Sequence, residues 1–479
     1  MNRTCECSPP PVPPHRIHCS ALVIVGDMSL TETPDGVPQP VAPTSPPSAR
    51  RPRAALWVIL LVLALIVLKR DTNPFIFGER GLNLFRLSPD FMVYYTAGEH
   101  LSNGQGVYDG GLWGPLPFTY PPFSAAVFRV LPLFPPQDAA ILWAMVCAGC
   151  LVAVAIGVLV QRGWRPDAGT AALGVLAAWG AMSLAPVRES FFYGQINLVL
   201  MLLVSLDFLR RRDQLSGIGV GLAAGLKLTP AIFIGVMLLQ RRFRDAAVAT
   251  GTFLATVVIG LVMVPDATKF WTSALFDDSR IGALDNPGAQ SLKSTAVRWI
   301  GHEGTGATLL WLVLAVVILA AATVAVIAAT RRGNDALVMA LGGITACLIS
   351  PFSWHHHWVW LVPLALCLID LAVRATEKTA ARAGVGGWWV PQVGVLIGAA
   401  AVALVMLPYV STTFYFNLTY WVMQEKGAWG ATWYTWQGAL VILIAGAVSL
   451  WLLRRDSRDG QPMWPRRKPS PREKLPVAE

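Results

Sequence analysis

The chain has 479 residues, 54% hydrophobic and 14% charged, with a formal net charge of +10 and a mean hydropathy of +0.52. Soluble domains carry roughly a quarter charged residues, so a soluble globular enzyme is excluded and an all-α polytopic membrane protein is expected. A nucleic-acid face is excluded as well, because Arg and Lys gather in short runs at the ends of apolar segments, the positive-inside pattern.

Residues 1–50 contain "SPPPVPPHR" and "PDGVPQPVAPTSPPS", which are too rich in Pro to build a core. A disordered cytoplasmic tail is expected, with no signal-peptide succession and with Met28 as a second candidate start. A membrane domain is expected over 51–455. The run 54–68, "AALWVILLVLALIVL", leads outward, and 69–136 stay outside as a long loop. Residues 137–160 return to "QRGWR", 168–186 lead out, 187–195 turn, and 196–209 return to "RRR". Residues 246–264 lead out and 265–307 form a second long outer loop. Then 308–329 return to "RRG", 335–350 lead out to "SPFSWHHHW", 358–373 return, 389–408 lead out, and 434–453 return to "RRDSR". Every basic cluster except Lys69–Arg70 then falls on the inner side. Residues 456–479 form a second Pro-rich tail, expected to be disordered.

The stretch 213–240 is flanked by basic residues at both ends. It is too short for two full crossings at ~1.5 Å per residue, and Pro230 interrupts a helix. A broken helical hairpin is expected, with Lys227 at its apex, giving about 12 membrane segments in all. The alternative is a single tilted span, which would break the charge alternation. Cys147 and Cys150 form a C-x-x-C inside an apolar run and read as small hydrophobes.

Five polar clusters fall on the outer side. In "SPDFMVYYTAGEHL", Ser88-Pro89-Asp90 reads as a helix start, and the following apolar residues suggest an amphipathic helix lying in the interface. Asp90 either caps that helix or acts chemically, and the two roles are compatible. "RESFFYGQIN" holds Arg188, Glu189, Gln195 and Asn197, as anchors and caps or as ligand contacts. Lys227 needs an anion or a wet cavity, since a lysine so deep in apolar sequence is costly. "SPFSWHHHWVW" holds His355, His356 and His357. Consecutive residues diverge by ~100° on a helix, so a helical metal pair is not expected and no metal site is assigned. Facing a phosphate or sugar is expected, with an aromatic belt as the alternative. The stretch 277–299 carries Arg280, Asp285, Asn286, Gln290, Ser291, Lys293 and Arg298, a solvated loop or a substrate loop.

An enzyme moving a sugar from a lipid phosphate to a hydroxyl needs one base for the hydroxyl proton. It needs cations or donors for the leaving phosphate and an apolar groove for the lipid. One Asp, a Lys with Arg and His, and apolar outer helices meet that list. The alternative class is a transporter or flippase for a lipid-linked or anionic substrate, which also uses broken helices.

In order along 80–460, "PDFMVYYTAGEHLSNGQGVYD", "FTYPPFSAAVF", "FFYGQINLVLMLLV", "GLKLTPAIFIGVMLLQRRFR", "NPGAQSLKS" and "SPFSWHHHWVWLVP" resemble glycosyltransferase family 87. The resemblance implies a GT-C-like helical bundle and an inverting mannosyltransferase at the outer face of the plasma membrane. It implies a polyprenyl-phosphate-mannose donor and an envelope glycolipid acceptor of phosphatidylinositol mannoside or lipomannan type, with membrane lipid but no nucleic acid as partner and no assigned cofactor. By the same resemblance Asp90 is the general base. Lys227, His356, His357, the weaker His355, Arg188, Gln195 and Asn197 contact donor phosphate or sugar, and Tyr120, Asn286, Gln290 and Ser291 belong to the substrate loop. Here Asn286 is separated from Gln290 by Pro-Gly-Ala, a departure from the family's motif.

Overall fold

The structure is a computed structural model that describes residues 54–70, 87–210, 213–409 and 427–458. The tail expected at 1–50, the candidate start Met28 and residues 459–479 lie outside the described residues. So do much of the first outer loop before residue 87, and two arginines of "RRR".

The described chain is helical, and its only bridges are the isolated pairs Trp113–Leu116 and Ala289–Trp354. The helices are α1 Ala54–Arg70, α2 Pro89–Ser102, α3 Pro122–Phe128, α4 Pro136–Gln161, α5 Ala168–Ala181 and α6 Ala185–Tyr193. Then come α7 Asn197–Phe208, α8 Ile218–Leu226, α9 Ile232–Leu239, α10 Phe243–Met263, α11 Ala267–Thr272 and α12 Leu292–Ile300. The chain finishes with α13 Thr305–Arg331, α14 Asp335–Ile349, α15 Leu361–Arg382, α16 Val390–Met406 and α17 Trp433–Arg458. The last helix runs three residues past the expected domain end at 455.

Among the described residues, six elements are long and apolar enough to cross a bilayer, or seven if α6 and α7, bent by 119° at Gly194, count as one. The chain is a polytopic membrane protein, but the expected count of about 12 segments is not reached by length alone, because five further apolar helices have only 10–17 residues. Close crossings rest on small residues, as bilayer packing favours. Gly394 lies on Val373 and Gly398 on Ile369, so α15 and α16 run antiparallel, while Gly446 of α17 lies on Ala321 of α13.

The stretch 213–240 is a hairpin. Gly217 faces Asp245 and Ala249 while Gly225 faces Thr256, so α8 runs alongside α10 in the same direction. The helix breaks at Lys227, whose backbone is extended, and α9 returns. Arg242 then donates to the carbonyl of Asp207 at 2.8 Å, and the carboxylate of Asp207 accepts from the amides of Gly217 (2.8 Å) and Val220 (2.7 Å). Both feet of the hairpin therefore meet at one residue.

The basic helix ends gather there too. Gln240 donates to Asp335 (2.7 Å), Gln161 to the carbonyl of Gly333 (3.0 Å), and Arg332 to Asp456 (3.1 Å). Arg162 pairs with buried Asp370 at 2.8 Å, and Arg374 donates to the Arg162 carbonyl at 2.6 Å. α7, α10 and α14 run from this polar end to the other end of the bundle.

One outer element differs from expectation. α2 does not lie half-exposed in an interface: Phe91, Met92, Val93, Tyr94, Tyr95, Ala97, Gly98 and Leu101 are all buried. α3 and the turn Leu131–Leu133 cover its far side, with Tyr94 stacked on Phe128 at 4.4 Å between ring centroids and the Tyr95 hydroxyl donating to the Phe134 carbonyl. α2 thus becomes a rigid mount rather than a float.

Candidate active site

At the end opposite the basic cluster a cavity of about 520 Å³ opens among α2, α6–α7, the hairpin apex and the 346–357 segment. Asp90, Tyr120, Gln195, Lys227, Arg280 and His357 supply its polar wall, and Val93, Leu116, Ile232, Phe270, Leu275 and Phe352 part of its apolar wall.

Asp90 stands in the first turn of α2, which begins at Pro89 as a helix start should. Its carboxylate accepts a short hydrogen bond from Gln195 Nε2. Burial pushes it up to about 6, against the opposing pull of that hydrogen bond and of the Lys227 charge. Gln195 is held in turn, since its Oε1 accepts from the Tyr120 hydroxyl (3.1 Å), which lies 2.7 Å from the Tyr94 hydroxyl. Burial, then the Asp90 charge, keeps the Tyr120 phenol above its ordinary range. Gln195 can reach Asp90 because Gly194 takes a left-handed conformation (φ 71°) that ends α6. A Cβ there would sit 2.6 Å from that of Phe91, so only glycine fits the turn.

Lys227 enters from the apex of the hairpin. Its ammonium donates to Asn197 Oδ1 (3.2 Å), lies 2.9 Å from His357 Nε2, and sits 5.3 Å from the Tyr120 ring centroid. Asn197 is oriented by donating through Nδ2 to the carbonyl of His356 (2.9 Å). His357 Nδ1 accepts the backbone N–H of Trp354 at 3.2 Å. The neutral ring therefore carries its proton on Nε2. Two donors, an ammonium and an imidazole N–H, face each other across 2.9 Å, and among the described residues the amide oxygen of Asn197 is the acceptor at hand. An anionic oxygen bridging both from the cavity side accepts from each.

Arg280 reaches the same cavity from the loop expected at 265–307, braced by the carbonyls of Tyr108 (3.3 Å) and Phe118 (3.4 Å). That loop is fastened to the one expected at 69–136: Asp266 accepts from the amides of Val107 (3.0 Å) and Tyr108 (2.8 Å).

The structure thus brings together Asp90, Tyr120, Gln195, Lys227 and His357, with Asn197 directly behind Lys227. The other expected residues do not line the cavity. Asn286 accepts the amide of Gly288 (2.8 Å) in a local turn, and Ser291 caps α12 by accepting from Ser294 N (3.1 Å). Gln290 donates to the carbonyls of Pro287 (2.7 Å) and Ala431 (2.5 Å) and accepts from the Thr435 hydroxyl (3.2 Å), tying the loop to the start of α17. Arg188 sits on α6 beside Glu189. His355 pairs with Glu189, and His356 is buried behind the cavity wall. Sequence reasoning did not single out Arg280, Thr229 or Trp354 as lining residues. Arg280 stood in a polar stretch that gave no sign which of its charges turns inward.

The family model of glycosyltransferase family 87 matches residues 118–351. The chain is 36% identical over 383 residues to the polyprenol-phosphate-mannose-dependent alpha-(1-2)-phosphatidylinositol pentamannoside mannosyltransferase of Mycobacterium tuberculosis, covering 78% of this chain and 84% of that protein. The enzyme of the same description from Mycolicibacterium smegmatis is 32% identical over 421 residues, 86% of this chain and 93% of its own. A polyprenol-phosphate-mannose-dependent alpha-(1-2)-phosphatidylinositol mannoside mannosyltransferase of Mycobacterium tuberculosis is 30% identical, covering 71% of this chain and 82% of its own. Among solved structures, ArnT from Cupriavidus metallidurans bound to undecaprenyl phosphate aligns over 85% of this chain and 80% of its own, at 14% identity and a TM-score of 0.31, a likeness too loose to carry an argument.

Proposed function

Since the chain belongs to glycosyltransferase family 87, we propose that it transfers mannose from polyprenyl-phosphate-mannose to an envelope glycolipid of phosphatidylinositol mannoside or lipomannan type. Transfer takes place at the extracytoplasmic face of the plasma membrane and inverts the anomeric carbon. The observation that carries this reading is one cavity holding a half-buried carboxylate and, facing each other, the Lys227 ammonium and the His357 Nε2–H.

The donor phosphate binds against Lys227 and His357 from the cavity side, with Arg280 within the same wall. The acceptor hydroxyl approaches from the side of Asp90. Its oxygen forms the new bond to the anomeric carbon as the bond to the phosphate oxygen breaks, and the hydroxyl proton passes to Asp90. Asp90 releases that proton to solvent after each turnover. The leaving group departs as polyprenyl phosphate, its charge met by the cations, so no acid is required to assist it. Gln195 orients the carboxylate and Asn197 holds the ammonium. The apolar wall accepts the first units of the polyprenyl chain. The charge distribution supports that side of the membrane, because the basic helix ends gather at the end of the bundle away from the cavity.

The test is direct. Purified protein in nanodiscs is given labelled polyprenyl-phosphate-mannose and a graded series of phosphatidylinositol mannosides. Products one hexose heavier, with stoichiometric release of polyprenyl phosphate, are expected. Equal use of a nucleotide-sugar donor, or no transfer to any acceptor of the series, overturns the assignment.

A further inference from the structure

Beside the cavity, but not in its wall, stands a second cluster that the transfer chemistry does not use. Glu189 on α6 and His355 and His356 on the 3₁₀ turn His355–Trp360 present ligand atoms that all lie within 4.8 Å of one another. The order of protons around them is awkward. His355 Nδ1 faces the carbonyl of Gly288 at 3.2 Å. A carbonyl can only accept, so Nδ1 carries the proton. The Nε2 of the neutral ring then turns a lone pair toward the carboxylate of Glu189, which also can only accept.

A doubly protonated His355 would settle that pair alone. It would leave His356 as it stands: 4% exposed, with neither ring nitrogen meeting a hydrogen-bonding partner among the described residues. The groups that approach His356 use its backbone instead. Asn197 and Ser190 both donate to its carbonyl, at 2.9 and 3.2 Å. The rings of Tyr193 (5.3 Å between centroids) and Trp354 (6.1 Å, stacked) wall the His356 imidazole in. A buried imidazole without a partner is costly, and a cation among the three groups removes every conflict at once.

We propose that Glu189, His355 and His356 bind a zinc ion. Two imidazoles and a carboxylate are a donor set that suits zinc. The carbonyl of Gly288 is the outer partner that fixes the tautomer of a ligating histidine and directs its Nε2 to the metal. Consecutive histidines diverge on a 3₁₀ turn by about 120° each, so the three cannot share one ion among themselves. His355 and His356 still bring a ring nitrogen each near Glu189, and the third ligand comes from α6 itself. The ion would clasp α6 to the turn whose next residue is His357, and so hold one phosphate donor in place from behind the cavity wall.

The experiment uses the full chain without a histidine tag, in nanodiscs, dialysed against zinc and then against zinc-free buffer. Elemental analysis is expected to find about one zinc per chain in the wild type, and loss of that zinc in both Glu189→Gln and His356→Ala. Cobalt loaded into the wild type is expected to show the intense visible bands of a four-coordinate site, a readout that needs no variant to fold. Wild type that holds no metal after zinc dialysis overturns the proposal. So does equal metal in wild type and both variants, or a cobalt spectrum showing only weak six-coordinate bands.

Discussion

Replacing Asp90 by Asn removes the carboxylate's charge and changes little else. The oxygen of the substituted amide can still accept from Gln195 Nε2, so the pairing between α2 and the α6–α7 turn survives. What is lost is the base. A positioned base contributes roughly 10²–10⁴-fold, or about 2.7–5.4 kcal/mol at 1.36 kcal/mol per decade. The wild-type carboxyl, raised to about 6 by burial, is about nine-tenths ionised at pH 7, since one pH unit above a pKa is a tenfold ratio. Its elevation makes it a stronger base than an ordinary aspartate while leaving it charged. Activity should therefore fall as pH drops through about 6 and level off above it, because only the deprotonated form accepts the hydroxyl proton. The assay is initial-rate transfer of labelled mannose in nanodiscs from pH 5 to 8, with thermal unfolding to confirm that the variant is folded. Asp90→Asn should retain no more than about a hundredth of wild-type kcat and lose the inflection near 6. A folded variant with more than about a third of wild-type activity, or one that keeps the inflection, would refute the role of Asp90.

Lys227→Met keeps the apolar stem of the side chain and deletes the ammonium facing His357. A charged hydrogen bond is worth about 1.5–3 kcal/mol, so KM for the polyprenyl-phosphate donor should rise about 10- to 100-fold with the acceptor KM within about twofold; steady-state titration of each substrate checks this, and a change confined to the acceptor contradicts it. Asp370→Ala strands Arg162, whose side chain is 8% exposed, at the polar end far from the cavity. The cost should be about 3–5 kcal/mol of stability, read as a lowered unfolding temperature with unchanged donor KM, and an unaltered unfolding temperature would show that water or another group compensates.

Local signals carried much of the architecture. Pro230 between two basic flanks foretold the broken hairpin, and apolar runs between charge clusters foretold the long helices, because both depend on neighbours in the chain. Lys227 and Asp90 stood out because an ionisable group in apolar sequence is costly without a purpose. Their partners were harder to read. Gln290 is joined to Ala431 and Thr435 at the start of α17, and Glu189 to His355, across separations that composition and periodicity do not encode. The burial of the apolar residues of α2 was hidden for the same reason: α3 and the 131–133 turn that cover it follow an intervening loop, and an apolar helix looks alike whether lipid or protein surrounds it. The neighbours of the triple histidine were hidden as well, since the carboxylate that His355 meets comes from α6, far away in the chain.

The arm that delivers Lys227 starts and finishes at Asp207. Such an arm is closed at its base like a staple, with α7 and α10 as the wood that backs it. The position of the Lys227 ammonium is thereby pinned from the far end of the bundle, where one residue, Asp207, gathers both arms.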